Sequence, residues 1–282
     1  MLPTRDLHLL ASLDLAALTA EQLLALSQTF NIPFSSERRV RERLHLLRKA
    51  GLVRSFPYAA LDRGPVLYHV LTLAGHRLLH GPEAALPSKR AYSPIAVGYQ
   101  RHAYALSEFV VHTVVSAHRS QVAFGGYYRE NAFRIPVGAE TIYPDAAFQL
   151  LPPVGPDLGF LVEIDNCTER VRSAGDLNSW ERKIRLYDAF QDRCAKRFRV
   201  LIVTTRSTPR LGRILTLAGS LQKNRNRHLF YGVALPDYLA ATDALRAPIF
   251  HDHQGEAVSL VPCHAALPIA RPLPVIVASA VA

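Results

Sequence analysis

At 282 residues the chain is long enough for one large or two ordinary domains, and 49% hydrophobic with 20% charged residues excludes a disordered or fibrous polymer. The 33 Lys+Arg against 23 Asp+Glu leave a formal charge of +10, which favours an anionic partner, nucleic acid or a membrane surface, without choosing between them. Cys167, Cys194 and Cys263 are scattered and odd in number, so they indicate neither a disulfide framework nor a zinc site, and a reducing cytoplasm fits them.

The opening segment MLPTRDLHLL carries Asp6 and lacks the apolar core and cleavage site of a secretory signal. Thr19, with Gln22 three residues on, marks a helix start ahead of an apolar run. A second helix begins at Ser35 or Ser36. In it Val40, Leu44 and Leu47 recur at helical spacing toward a core, and Gly51 stops it. Arg38, Arg41, His45 and Arg48 form an adjacent stripe, with Arg39 beside it, that a major groove would accept; a solvated basic face is the bland alternative. Leu52–Phe56, the turn Gly64-Pro65, and Val66–Thr72 predict a two-stranded wing. Thr72 then caps a further helix starting at Leu73. This order resembles winged-helix regulators. Residues 1–82 are therefore expected to be a winged-helix DNA-binding domain, and 83–97, rich in proline, a linker.

From 98 to 250 the pattern predicts a second domain. A helix over Gly98–Arg119 has two apolar stripes, Leu106, Val110, Val114 and Ala117, then Tyr104, Val111 and Val115. Glu108 lies between them, partly buried, and a buried carboxylate needs a partner or a cation, a salt bridge to a neighbouring arginine being the bland alternative. Strands are predicted at Val122–Arg129, Ile142–Leu150, Phe160–Asp165, Arg199–Thr205 and His228–Leu235, with helices at Asp176–Asp192 and Pro209–Gln222. The order helix, three strands, helix, strand, helix, strand implies a mixed α/β sheet covered by helices. Residues 251–282 are expected to be a proline-rich tail, too interrupted to span a membrane.

Tyr143-Pro144-Asp145 on one strand, followed by Phe160-Leu161-Val162-Glu163-Ile164-Asp165 on the next, looks like the Pro-Asp, then Asp/Glu-x-Lys, pattern of restriction-endonuclease-like nucleases. Together with the winged helix, "PDAAFQL", "FLVEIDNCTER" and "ERKIRLYDAF", the chain from about 5 to 235 resembles the bacterial replication-relaxation family. The resemblance implies an α/β nuclease-like domain after the winged helix, and a setting in plasmid or mobile-element replication or relaxation. On that pattern Asp145 and Glu163 are the candidate ligands of Mg²⁺ or Mn²⁺, a hard cation that prefers carboxylate oxygens.

Asp165 stands where the pattern has its lysine. Lys183, on the next helix beside Trp180, Ile184 and Tyr187, is the candidate replacement, the bland alternative being a side chain that extends to water. Glu163 and Asp165 should share one face of their strand, as metal-site acids or as partners of Arg170, Arg172 or Arg182. Glu108, Glu130 and Glu169 are further acids for the site. Arg225 and Arg227, in the run Lys223–His228, offer a phosphate-binding loop or an ordinary solvated turn.

The leading expectation is thus a cytoplasmic, nucleoid- or plasmid-associated protein that binds double-stranded DNA, with metal-dependent nicking and a second copy of itself as a further partner. A non-catalytic winged-helix regulator with a degenerate nuclease-like domain is the alternative, and a protein-interaction scaffold the third class.

Overall fold

The computed structural model describes residues 2–61, 66–173 and 179–262. The turn Gly64-Pro65, the expected helix start at Asp176, and Cys263 with the residues after it lie outside the described residues, while the start of the expected tail, 251–258, contributes to strands of the sheet. The protein is a mixed α/β chain whose described residues divide into two compact units, the first up to Val115 and the second from Ser116.

The first unit opens with a helix that the sequence reading did not place, α1 (Thr4–Leu15), whose Leu9, Leu10 and Leu13 are buried. After β1 (Leu18–Thr19), α2 (Ala20–Leu26) starts on the capping box expected there. The Gln22 amide donates to Thr19 Oγ1 at 3.2 Å and the Thr19 amide to Gln22 Oε1 at 2.9 Å.

Next comes α3 (Glu37–Lys49), burying Val40, Leu44 and Leu47 as its spacing predicts. Gly51 follows at φ +73°, the left-handed turn that ends a helix, and the amide of Leu52 returns to the carbonyl of Leu47 at 3.0 Å. The wing is β2 (Val53–Tyr58) and β3 (Val66–Leu71), antiparallel with Val53 opposite Leu71, and β1 completes a three-stranded sheet in the order β1-β3-β2.

Thr72 caps α4 (Leu73–His80), its Oγ1 accepting from the amide of Gly75. A Cβ at Gly75 would stand 2.3 Å from the Leu52 carbonyl oxygen, so only glycine lets α4 approach the end of α3. Beyond α4 the chain is tied to the hairpin: the Ile95 amide donates to the Tyr68 hydroxyl at 2.7 Å, and Gln100 Oε1 accepts from the Ala59 amide at 2.7 Å. There α5 (Val97–Arg119) begins.

The second unit is built on a seven-stranded sheet in the order β12-β11-β10-β9-β8-β7-β4. Its strands are β4 (Ala123–Tyr128), β7 (Ala146–Leu151), β8 (Leu158–Asp165), β9 (Phe198–Thr204), β10 (Phe230–Ala234), β11 (Phe250–Asp252) and β12 (Ala257–Val258). The run β8-β9-β10 is parallel and its flanks antiparallel. A separate hairpin joins β5 (Ile135–Val137) and β6 (Glu140–Ile142).

The single strand expected over Ile142–Leu150 is therefore two: Ile142 closes the β5–β6 hairpin, and Ala146 opens β7. Pro144, which lacks an N–H for a ladder, falls in the break.

Helices α6 (Trp180–Gln191) and α7 (Thr208–Leu221) cover one face of the sheet, and α8 (Leu235–Ala240) follows β10. The core beneath α6 and α7 joins Trp180, Ile184 and Tyr187 to Ile214, Leu215 and Ala218, and to Leu161, Val200 and Ile202 on the strands. Burying these side chains, at about 25 cal/mol per Å² of apolar surface, is the main force holding the helices on the sheet.

Candidate functional site

Strand alternation sets the site. Ala147 and Leu161 point into the core beneath α6, so Glu163 and Asp165, two and four residues on from Leu161, face the same side. Ala146 pairs with Val162, which places Asp145 beside Glu163 at the end of the antiparallel β7–β8 ladder. Asp145 is fixed there by two bonds to β8: its amide donates to the Val162 carbonyl at 2.9 Å, and its Oδ2 accepts from the Ile164 amide at 2.7 Å.

Lys183 enters from α6. Its Nζ donates to Glu163 Oε2 and to Glu169 Oε1, both at 2.8 Å, and lies 5.2 Å from the centre of the Trp180 ring. Tyr187, one turn further along α6, donates its hydroxyl to Glu163 Oε1. Glu163 is 1% exposed. Burial pushes its carboxyl up to about 7, the Asp145 charge adds to the push, and Lys183 and Tyr187 oppose it. Burial likewise raises Glu169 against the pull of Lys183. For Lys183 burial acts downward, but Glu163, Glu169 and Asp145 together outweigh it, so the ammonium is held above its ordinary range. The sequence reading's candidates Asp145, Glu163 and Lys183 thus come together, with Glu169.

The other candidates take different places. Glu130 is exposed and brings a carboxylate oxygen within 4.8 Å of one from Asp145. Glu108 belongs to the first unit, where its Oε1 accepts from Gln22 Nε2, so this carboxylate meets a partner there, an amide. Asp165 turns to Arg210, which was not anticipated: Nε donates to Oδ2 at 2.7 Å and Nη2 to Oδ1 at 2.9 Å, while the Trp180 indole donates to Oδ1 at 3.2 Å. The salt-bridge partner of Asp165 is therefore none of Arg170, Arg172 or Arg182; Arg182 pairs with Glu140 instead. One signal for Arg210 stands in the sequence. It occupies the first turn of α7, after the cap Ser207, where the helix dipole disfavours a cation unless an acid meets it.

In the basic loop Arg227 turns inward, donating to Asp188 Oδ1 at 2.9 Å and pairing with Asp192; Arg225 stays exposed. That inward pairing comes from Asp188 on α6 and Asp192 just after it, 39 and 35 residues earlier, out of reach of any local pattern.

On the first unit Arg38, Arg39, Arg41, His45 and Arg48 are all exposed along α3. Arg38 and Arg39 reach Glu42 at 3.0 Å and Arg41 reaches Glu37 at 2.6 Å. Such exposed pairs contribute little to stability. Arg43 instead faces inward and grips buried Asp6 of α1. Arg41, His45 and Arg48 line one wall of an open groove of ≈ 680 Å³ between α3 and the wing, with Ser55, Leu67 and His69 opposite.

His69 is 7% exposed, and Ser55 Oγ lies 2.8 Å from its Nδ1. Burial first, then Arg48 and Arg41, pulls its imidazolium down to about 4, below the 6.5 of a free histidine. The folded state therefore holds His69 neutral. The stability this gives is complete above pH 6.5 and is lost as pH falls toward 4, by on the order of 3 kcal/mol. Denaturant unfolding of the first unit from pH 7 to pH 4.5 is expected to show that decline, and His69→Gln to flatten it.

Fold and site define a two-unit chain, helices with a three-stranded sheet followed by a mixed α/β sheet that carries a carboxylate–lysine group. Residues 8–202 match the family model described as replication-relaxation, more than half of the chain, and the chain belongs to that family. Membership ties it to a replication- or relaxation-related role. Comparison with curated proteins and with solved structures found no match. Among the described residues no helix is long and apolar enough to cross a membrane.

Proposed function

We propose that this protein binds double-stranded DNA through α3 and its wing and nicks it with the Asp145–Glu163–Lys183 group of the second unit, in plasmid or mobile-element replication or relaxation. The observation that carries the reading is the convergence of two carboxylates from adjacent strands with a lysine from the following helix, which supplies from α6 the cation that Asp165 displaces from the strand.

The donor set fits a hard divalent cation. Asp145, Glu163 and Glu130 offer only carboxylate oxygens, and each oxygen keeps a lone pair beyond the hydrogen bond it accepts. Asp145 and Glu163 would hold Mg²⁺ or Mn²⁺, which when bound supplies an acidified water and charge neutralisation at a phosphate. The chain's own part is positional and electrostatic. Tyr187 and Lys183 fix the Glu163 carboxylate, the β8 backbone fixes Asp145, and the Lys183 ammonium is placed to stabilise negative charge developing on a phosphate.

A second reading has its own support: both Glu163 oxygens are already engaged and Asp165 is committed to Arg210, as expected of a regulator whose second unit no longer cuts. Cleavage separates these two readings.

DNA binding separates both from a protein-interaction scaffold. On a duplex the intact chain is expected to show affinity falling linearly with log salt. The double substitution Arg41→Ala/Arg48→Ala should weaken binding and lower that slope by about 2, one per lost phosphate contact. A salt-independent affinity, or an unchanged slope in the variant, would remove α3 from the interface.

A further inference from the structure

A cluster in the first unit has no part in this function. His76 and His80 are one helical turn apart on α4, their ring centres 4.5 Å from each other, and Asp14 of α1 faces both. His80 Nε2 lies 2.9 Å from Asp14 Oδ2. His76 uses Nε2 on the Ala85 carbonyl at 3.1 Å, which requires a proton on that nitrogen. In the neutral ring Nδ1 then carries the lone pair. This atom is buried without a hydrogen-bond partner, and Asp14 Oδ1 stands 3.8 Å away. Two acceptors would face each other across a partly buried gap, an arrangement a cation between them relieves.

We propose that Asp14, His76 and His80 form a transition-metal site, of the class that takes Zn²⁺, clamping α1 to α4 in the winged-helix unit. Two imidazoles with one carboxylate suit zinc and its neighbours rather than Mg²⁺ or Ca²⁺, and three protein donors leave a fourth position for water. One ligand-oriented feature is already in place: a metal-binding histidine ordinarily gives its other ring N–H to a carbonyl or carboxylate, as His76 does to Ala85. The site uses imidazoles, so the scattered cysteines carry no information about it.

The test is titration of the chelator-treated full chain with cobalt(II) chloride, followed by displacement with zinc chloride. The expected result is the visible absorption of low-coordinate Co²⁺, bleached by zinc, with one equivalent lost in His80→Gln or His76→Gln. Zinc affinity at that equivalent should fall by at least ~10–100-fold, the cost of losing even an outer-sphere partner. Asp14→Asn keeps the side-chain shape while removing the charge, and should lose the same equivalent with its circular dichroism intact. No cobalt absorption, or absorption and stoichiometry unchanged in the folded variants, overturns the site and leaves an imidazolium–carboxylate pair.

Discussion

Arg210→Met is expected to destabilise the second unit by about 3–5 kcal/mol, the penalty for stranding a buried charge. The Asp165 side chain is fully buried, and the Arg210 guanidinium meets both of its oxygens. Removing the guanidinium leaves a carboxylate with the Trp180 indole as its main donor. It also frees the Glu169 carbonyl, to which Arg210 Nη2 donates, and so loosens the segment that brings Glu169 to Lys183. Denaturant unfolding measures the loss. The double substitution Asp165→Asn/Arg210→Met should recover part of it, because the stranded charge is gone. A loss below about 1 kcal/mol would mean that the pair behaves as a surface ion pair reached by water.

The second large effect is expected on the proposed cutting. Asp145→Asn retains an oxygen to accept from the Ile164 amide, and Glu163→Gln retains the acceptor that Tyr187 uses, so both remove charge with little change of shape. Lys183→Met removes the ammonium and leaves its apolar stem. Nicking is expected to fall by on the order of 10²–10³ in Lys183→Met, the scale for losing one pre-placed electrostatic donor. It should fall at least as far in the two acid variants. Lys183→Met also strands Glu163 and Glu169, so its unfolding must be measured beside its activity. Loss of cutting in protein that still binds DNA and unfolds normally assigns the effect to the site.

The parts of this structure legible in the sequence are those encoded locally. The Thr19–Gln22 capping box, the Val40–Leu44–Leu47 stripe, Gly51 as a helix stop, and the Trp180–Ile184–Tyr187 face all follow from spacing, and the structure carries each of them. Strand period two put Glu163 and Asp165 on one face, and helical period brought Lys183 to it.

What spacing does not carry is the choice of partner between groups of like chemistry. Three arginines near Asp165 in sequence were equal candidates, and a fourth, 45 residues away, takes the carboxylate because β9 runs parallel to β8 and delivers the start of α7 to its end. Arg227 meets Asp188 by the same kind of long-range packing. α1 has no side-chain cap to mark its start, although Asp6 in its first turn and the spacing of Leu9, Leu10 and Leu13 are helical signals that stand in the sequence. The His76-x-x-x-His80 spacing is visible in the sequence, but Asp14, 66 residues before His80, joins it only through the packing of α1 on α4.

Conversion of supercoiled plasmid to nicked circles, in Mg²⁺ or Mn²⁺ against a chelator control, tests the central claim most directly. The intact chain is expected to nick the plasmid only with the cation present, and Asp145→Asn, Glu163→Gln and Lys183→Met to bind the same DNA without nicking it. Intact protein that binds the plasmid and leaves it supercoiled with either cation, or nicking that survives in all three variants, would contradict the nuclease assignment. The first of these outcomes would establish the regulator in its place.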